Sequence, residues 1–98
     1  MAKYLVLWEL DTTKLPTEPK QRQQLSFGLQ NMVKQQIKEG KTSEWGAFVG
    51  EAKGCAIFEG TELDVSKQLD IYFPYAKFDL KQLLSIDQVT EVAKAIKV

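Results

Sequence analysis

No part of the chain restricts its fold more than Tyr4-Leu5-Val6-Leu7-Trp8-Glu9-Leu10. Six of these seven residues are apolar or aromatic, and the run is too short to be a buried helix, so it reads as a strand. Side chains alternate along a strand, which sends Tyr4, Val6, Trp8 and Leu10 to one side and Leu5, Leu7 and Glu9 to the other. A strand that is apolar on both sides needs cover on both. That cover has to come from a chain of 98 residues, enough for one domain with a single thin core, or from a second molecule.

The remaining elements follow in order. Asp11 to Thr17 reads as a loop, and Thr17, Glu18 and Pro19 are placed to cap and open a helix that runs to about Glu39 and stops at Gly40. Leu25, Leu29, Met32, Val33 and Ile37 fall on one stripe of that helix, with Phe27 on the opposite side. Two short strands are expected near Glu44 to Val49 and Gly54 to Glu59, joined as an antiparallel hairpin through Gly50-Glu51-Ala52-Lys53. Thr61 and Asp64 form a capping box for a shorter helix whose inner face carries Val65, Leu69 and Tyr72, and Pro74 ends it. Ala76 to Leu80 alternates in the manner of an edge strand. Ser85 and Gln88 cap a last helix with a stripe of Ile86, Val89, Val92, Ala93 and Ile96.

This order is βαββαβ with an added carboxyl-terminal helix. It is an α+β, ferredoxin-like pattern with a four-stranded antiparallel sheet and the first strand in its interior. Right-handed crossovers put the two main helices on one face. The other face then lacks cover within the chain, apart from the last helix, and a second subunit's sheet is the simpler solution. A two-fold homodimer is therefore expected.

Composition removes several functions. There is no histidine, so Ser-His and Cys-His nucleophilic pairs, histidine-bound zinc or iron and a proximal haem histidine are excluded. Thirteen basic and thirteen acidic side chains cancel, so no general pull toward nucleic acid or an anionic membrane is expected. The longest apolar run, Tyr4 to Trp8, is far short of a membrane span. The amino terminus does not fit a secretory signal. A single cysteine, Cys55, suits a reducing cytoplasm, which is the expected location. Its default role is that of a small buried hydrophobe. Glu59, Glu62 and Asp64 are near in sequence but straddle a strand end and a helix start, so no metal site is expected.

In the carboxyl-terminal half, Ala56-Ile57-Phe58-Glu59-Gly60, a capped helix and then Tyr72-Phe73-Pro74-Tyr75-Ala76-Lys77-Phe78-Asp79-Leu80 resemble muconolactone isomerase and its dimeric α+β barrel relatives. Lys14-Leu15-Pro16 before a long helix is similar to the same family, and the resemblance covers about residues 3 to 82. It implies a single domain over residues 1–98, whose sheet closes a barrel with a second copy and whose helices lie outside. It also implies a small-molecule pocket between sheet and helices. Relatives include isomerases, cofactor-independent monooxygenases and haem-degrading enzymes. The motifs are structural, and no catalytic residue is carried over from them.

Read from the residues, Tyr4, Trp8, Trp45 and Tyr75 are large amphipathic side chains on or beside strands that could line a pocket for a planar or cyclic ligand. Packing in the core or at a subunit seam is the alternative. Glu9 and Glu59 end strands. Facing a closed pocket, either could serve as a general base that moves a proton beside a carbonyl; reaching water or pairing with a lysine is the ordinary role. Gly46, Gly50, Gly54 and Ala56 could leave space on a sheet face, or permit close approach or a bulge. Two functions stand. One is a small-molecule-binding protein, without a cofactor, that isomerises or oxygenates a small cyclic or carbonyl compound. The other is a non-catalytic oligomeric binding or structural module.

Overall fold

In a computed structural model, which describes residues 2–96, the opening stretch forms β1 (Ala2–Leu10) inside a four-stranded antiparallel sheet. The other strands are β2 (Thr42–Ala47), β3 (Lys53–Gly60) and β4 (Ala76–Leu83), in the order β2-β3-β1-β4. Three helices accompany them: α1 (Pro19–Lys38), α2 (Glu62–Asp70) and α3 (Ile86–Lys94). A short 3-10 turn over Thr12–Lys14 follows β1, held by the Asp11 carboxylate, which accepts from the Thr13 amide and hydroxyl. The result is a mixed α+β fold compatible with a ferredoxin-like arrangement, with β1 interior and β4 at an edge as its alternating polarity predicts.

Register divides the sheet into two faces. Val6 sits between Ala56 and Leu80, and Trp8 between Gly54 and Phe78, so the even-numbered residues of the three strands share one face. The core lies there: Tyr4, Val6, Ala56 and Phe58 pack with Val65 and Leu69 of α2, and Val6 and Val65 are fully buried. The odd-numbered face has Leu5 between Ile57 and Lys81, and Leu7 between Cys55 and Asp79. Leu7 remains 37% exposed, and Cys55 is only half-buried. The two-sided apolar character of β1 is thus met on one side only.

Local chemistry explains most element ends and corrects some expected ones. The cap of α1 is Glu18, one residue later than Thr17: its carboxylate accepts from the amides of Lys20 (3.1 Å) and Gln21 (2.8 Å). Pro19 lacks an N–H and suits the first helical position, which fixes the start there. Gly40, with φ +75°, takes the left-handed conformation that closes the far end. The Thr61–Asp64 and Ser85–Gln88 capping boxes both form. The two bonds to Thr61 hold the Asp64 carboxyl below the usual aspartate range.

β4 extends past Leu80 to Leu83, because β1 begins early enough to offer Leu5, Tyr4 and Lys3 as partners. β2 starts at Thr42 rather than Glu44 and contains a bulge between Ser43 and Gly46, where Glu44 has φ +53°.

Candidate functional site

α1 carries an apolar stripe but is not pressed onto the sheet. Leu25, Leu29, Met32 and Val33 are only half-buried, Ile37 is exposed, and the one buried residue of the helix is Gln36. Its amide nitrogen donates to the Gln68 carbonyl (2.8 Å) and to the Gln68 side-chain oxygen (3.2 Å), while the Tyr72 hydroxyl donates to its oxygen (2.5 Å). These bonds fasten the carboxyl-terminal part of α1 to the end of α2. Burial pushes the Tyr72 phenol up to about 12 and so keeps it a donor.

Between the rest of α1 and the even face of the sheet lies a cavity of about 520 Å³. Val6, Ala56 and Phe58 form its floor, Leu29, Val33 and Ile37 its roof, and Tyr72 and Phe78 meet edge to face beside it at 6.1 Å. Small residues along the floor and rim, Ala47, Ala52, Ala56 and Ala76, leave the space that larger ones would fill. Ser26, Gln30, Lys34 and Glu51 supply its polar lining.

One wall is a pair of indoles. Trp8 and Trp45 stack with ring centroids 5.1 Å apart and planes 10° from parallel. Two backbone features make this possible. The bulge in β2 sets Glu44 and Trp45 opposite the single residue Ala56, and such a bulge re-aims side chains. Gly54 lets β2 and the Trp8 ring come close: a Cβ there would collide with the Gly46 carbonyl and lie 2.7 Å from the Trp8 ring. The indole N–H of Trp8 is buried and has no hydrogen-bond partner among the described residues, and the same holds for the Tyr4 hydroxyl. An orphaned buried donor costs about 1–3 kcal/mol, so an acceptor brought to Trp8 Nε1 would recover that energy.

Of the residues expected to hold a ligand, Trp8 and Trp45 come together in the cavity wall, whereas Tyr4 belongs to the core and Tyr75 does not line the cavity. Glu9 and Glu59 lie elsewhere. Both are on the odd face, at opposite ends of β1's pairing with β3: Glu9 is beside Lys53 and Lys77, and Glu59 is 3.8 Å from Lys3. Of the small residues, Gly54 and Ala56 share the cavity face, Gly46 pairs with Cys55 on the other, and Gly50 serves the hairpin turn with φ +79°. The lining from Tyr72, Phe78 and α1 escaped the sequence reading. One signal for it was present: Gln36 interrupts an otherwise apolar stripe, which marks a specific seat rather than general packing.

No family model matches the chain, and no curated protein matches it in sequence. Among the described residues no helix is long and apolar enough to cross a membrane, and no group of three or more His, Cys, Asp or Glu side chains is placed to hold a metal ion.

Proposed function

We propose that this chain binds a small, largely apolar planar or cyclic molecule in the cavity between α1 and the sheet. The observation that carries this reading is the orphaned Trp8 indole N–H in the wall of an apolar cavity of about 520 Å³. That volume lies within the range of small-molecule sites, which are mostly apolar with a few placed polar groups. A ligand ring would stack beside the indole pair, an acceptor on it would take the Trp8 proton once the indole turns to present its N–H, which is closed to solvent in the free chain, and the Lys34 side would suit a polar or anionic end. The assembly that goes with this reading is a homodimer joined across the uncovered odd face of the sheet.

An enzymatic form of the proposal, a metal-independent isomerase or cofactor-independent oxygenase, would have to draw on groups near the cavity. Glu9 and Glu59 as general bases would act on the other face. The ionisable groups that line it are Lys34, Glu51 and Tyr72, so turnover would rest on these and not on Glu9 or Glu59. The second reading, a non-catalytic oligomeric module, is supported by one observation: apolar residues on the odd face and on α3 are left in water within a single chain.

Tryptophan fluorescence and thermal shift against a panel of planar aromatic and cyclic carbonyl compounds provide the test. At least one compound is expected to quench the indole pair and raise Tm, with Kd weakened tenfold or more by Trp8→Phe, which keeps an aromatic six-membered ring but deletes the pyrrole half of the indole with its N–H. A hit unaffected by Trp8→Phe and Val33→Trp, the latter filling the cavity, would place binding elsewhere.

A further inference from the structure

Among the described residues, two of the apolar surfaces that face water are of interest. The first is α3. Ile86, Val89, Val92 and Ile96 are 78%, 48%, 58% and 67% exposed, and no residue of the helix is buried. At 100° per residue Ile86, Val89 and Val92 share one stripe with Ala93, which Ile96 follows just past the helix end, while Asp87, Glu91 and Lys94 lie opposite. Nine residues are too few for a stable helix without tertiary support. The helix also stands apart from the body of the molecule. The radius of gyration is 16.5 Å, against about 12.6 Å for a compact chain of this length, and the longest dimension is 63 Å against 25 and 22 Å.

The second surface is the centre of the odd face, formed by Leu5, Leu7, Cys55 and Ile57. Charge surrounds it: Lys3 and Glu59 at one end, Glu9, Lys53 and Lys77 at the other, Asp79 and Lys81 along β4. A sheet laid on this face would take most of those seven charges out of water in each copy, which is unfavourable unless every one is paired. A helix avoids that. At about 10 Å across it matches the span of three strands and covers the apolar centre while the charged ring stays solvated.

We propose that in the homodimer α3 of each copy lies across the odd face of the other, its Ile86–Val89–Val92–Ile96 stripe over Leu5, Leu7, Cys55 and Ile57. This rests on the homodimer proposed above and replaces sheet-on-sheet contact with a reciprocal helix exchange. A second copy is the occupant because each copy supplies one helix and needs one, so a two-fold pair leaves neither surface open. The chain carries no net charge to oppose association with itself, and both signs alternate around the patch. The missing second cover of β1 is then α3 of the partner.

The lone thiol makes the test direct. Val89→Cys adds one cysteine on an exposed helix position, and Cys55 is the only other. On mild oxidation of micromolar protein, the variant is expected to run as a covalent dimer on a non-reducing gel, with a 55–89 link between chains identified by peptide mass. The wild type is expected to remain uncrosslinked. In sedimentation the wild type is expected to be a dimer, and Val92→Asp at least tenfold weaker. A 55–89 link within one chain would overturn the exchange. So would a dimer that forms Cys55–Cys55 links and ignores Val92→Asp, which leaves the homodimer standing with sheets in contact. A wild type that sediments as a monomer overturns both.

Discussion

α1 and α2 cover the same face of the same sheet in opposite ways. α2 has nine residues and buries Val65 and Leu69 against Tyr4, Val6 and Phe58. α1 has twenty residues and buries only Gln36. The longer helix is fastened by polar bonds near one end and elsewhere roofs a cavity, while the shorter one is seated by apolar packing. The sheet beneath accounts for the difference. Val65 and Leu69 of α2 reach the large side chains of the sheet; below α1 the small residues Ala47, Ala52, Ala56 and Ala76 leave space above Val6 and Phe58, with the indole pair set to the side. A stripe of apolar residues on a helix therefore announces an apolar neighbour, which need not be a packed one.

The sharpest way to break this comparison is to truncate the same residue type on both helices. Leu69→Ala is expected to cost about 2–5 kcal/mol, the range for a buried leucine in a closed core. Leu29→Ala, over the cavity, is expected to cost less than about 1 kcal/mol, because half-exposed side chains lose little transfer energy and no new void is created. Urea unfolding followed by far-UV circular dichroism measures both. Equal losses would mean that α1 is packed and that the cavity is filled by neighbouring side chains in solution.

A smaller effect, about 1–3 kcal/mol, is expected from Gly54→Ala, since a methyl group there meets β2 backbone that cannot move as a side chain can. The diagnostic is optical. The stacked indoles should give a coupled near-ultraviolet circular dichroism signal, which Gly54→Ala is expected to diminish as the Trp8 ring is displaced. Leu69→Ala should leave that signal intact at temperatures where the protein stays folded. A Gly54→Ala protein with the parental signal would detach the glycine from the cavity wall.

How far these features could be read in advance depends on how local their causes are. The capping boxes at Thr61 and Ser85 and the inner face of α2 followed from residues within a few positions of one another, and the interior place of β1 from the order of the elements. The Trp8–Trp45 stack did not. It depends on the β2–β3 register and on a bulge at Glu44, where a one-residue insertion turns Trp45 onto the cavity face, and nothing in Ser43-Glu44-Trp45-Gly46 states that register. The separation of Glu9 and Glu59 from the cavity has the same origin. Alternation assigned Glu9 to the face opposite Trp8, but which face carried the helices was decided by α1 and α2 far along the chain. The isolation of α3 was hidden for another reason: an amphipathic stripe says that a helix will be covered, and is silent on which molecule covers it.

The smallest expected effect concerns the bonds that anchor α1. Tyr72→Phe removes the donor to Gln36 and leaves a buried amide oxygen without that proton, a loss of about 1 kcal/mol near neutral pH. Its pH dependence is the stronger evidence. The phenol titrates near 10 in an unfolded chain and at about 12 when folded, so the folded state holds the proton more tightly between those values. Stability from this group is therefore complete below pH 10 and declines as pH rises toward 12. The parental protein is expected to lose stability over that window faster than Tyr72→Phe, in urea midpoints measured from pH 9 to pH 12, so that the two curves converge and then cross toward the alkaline end. Other tyrosines and lysines contribute to both proteins and cancel in the difference. If the two curves stay parallel, the Tyr72 phenol is not buried beneath α1 in solution, and apolar contacts along the stripe must carry the helix after all.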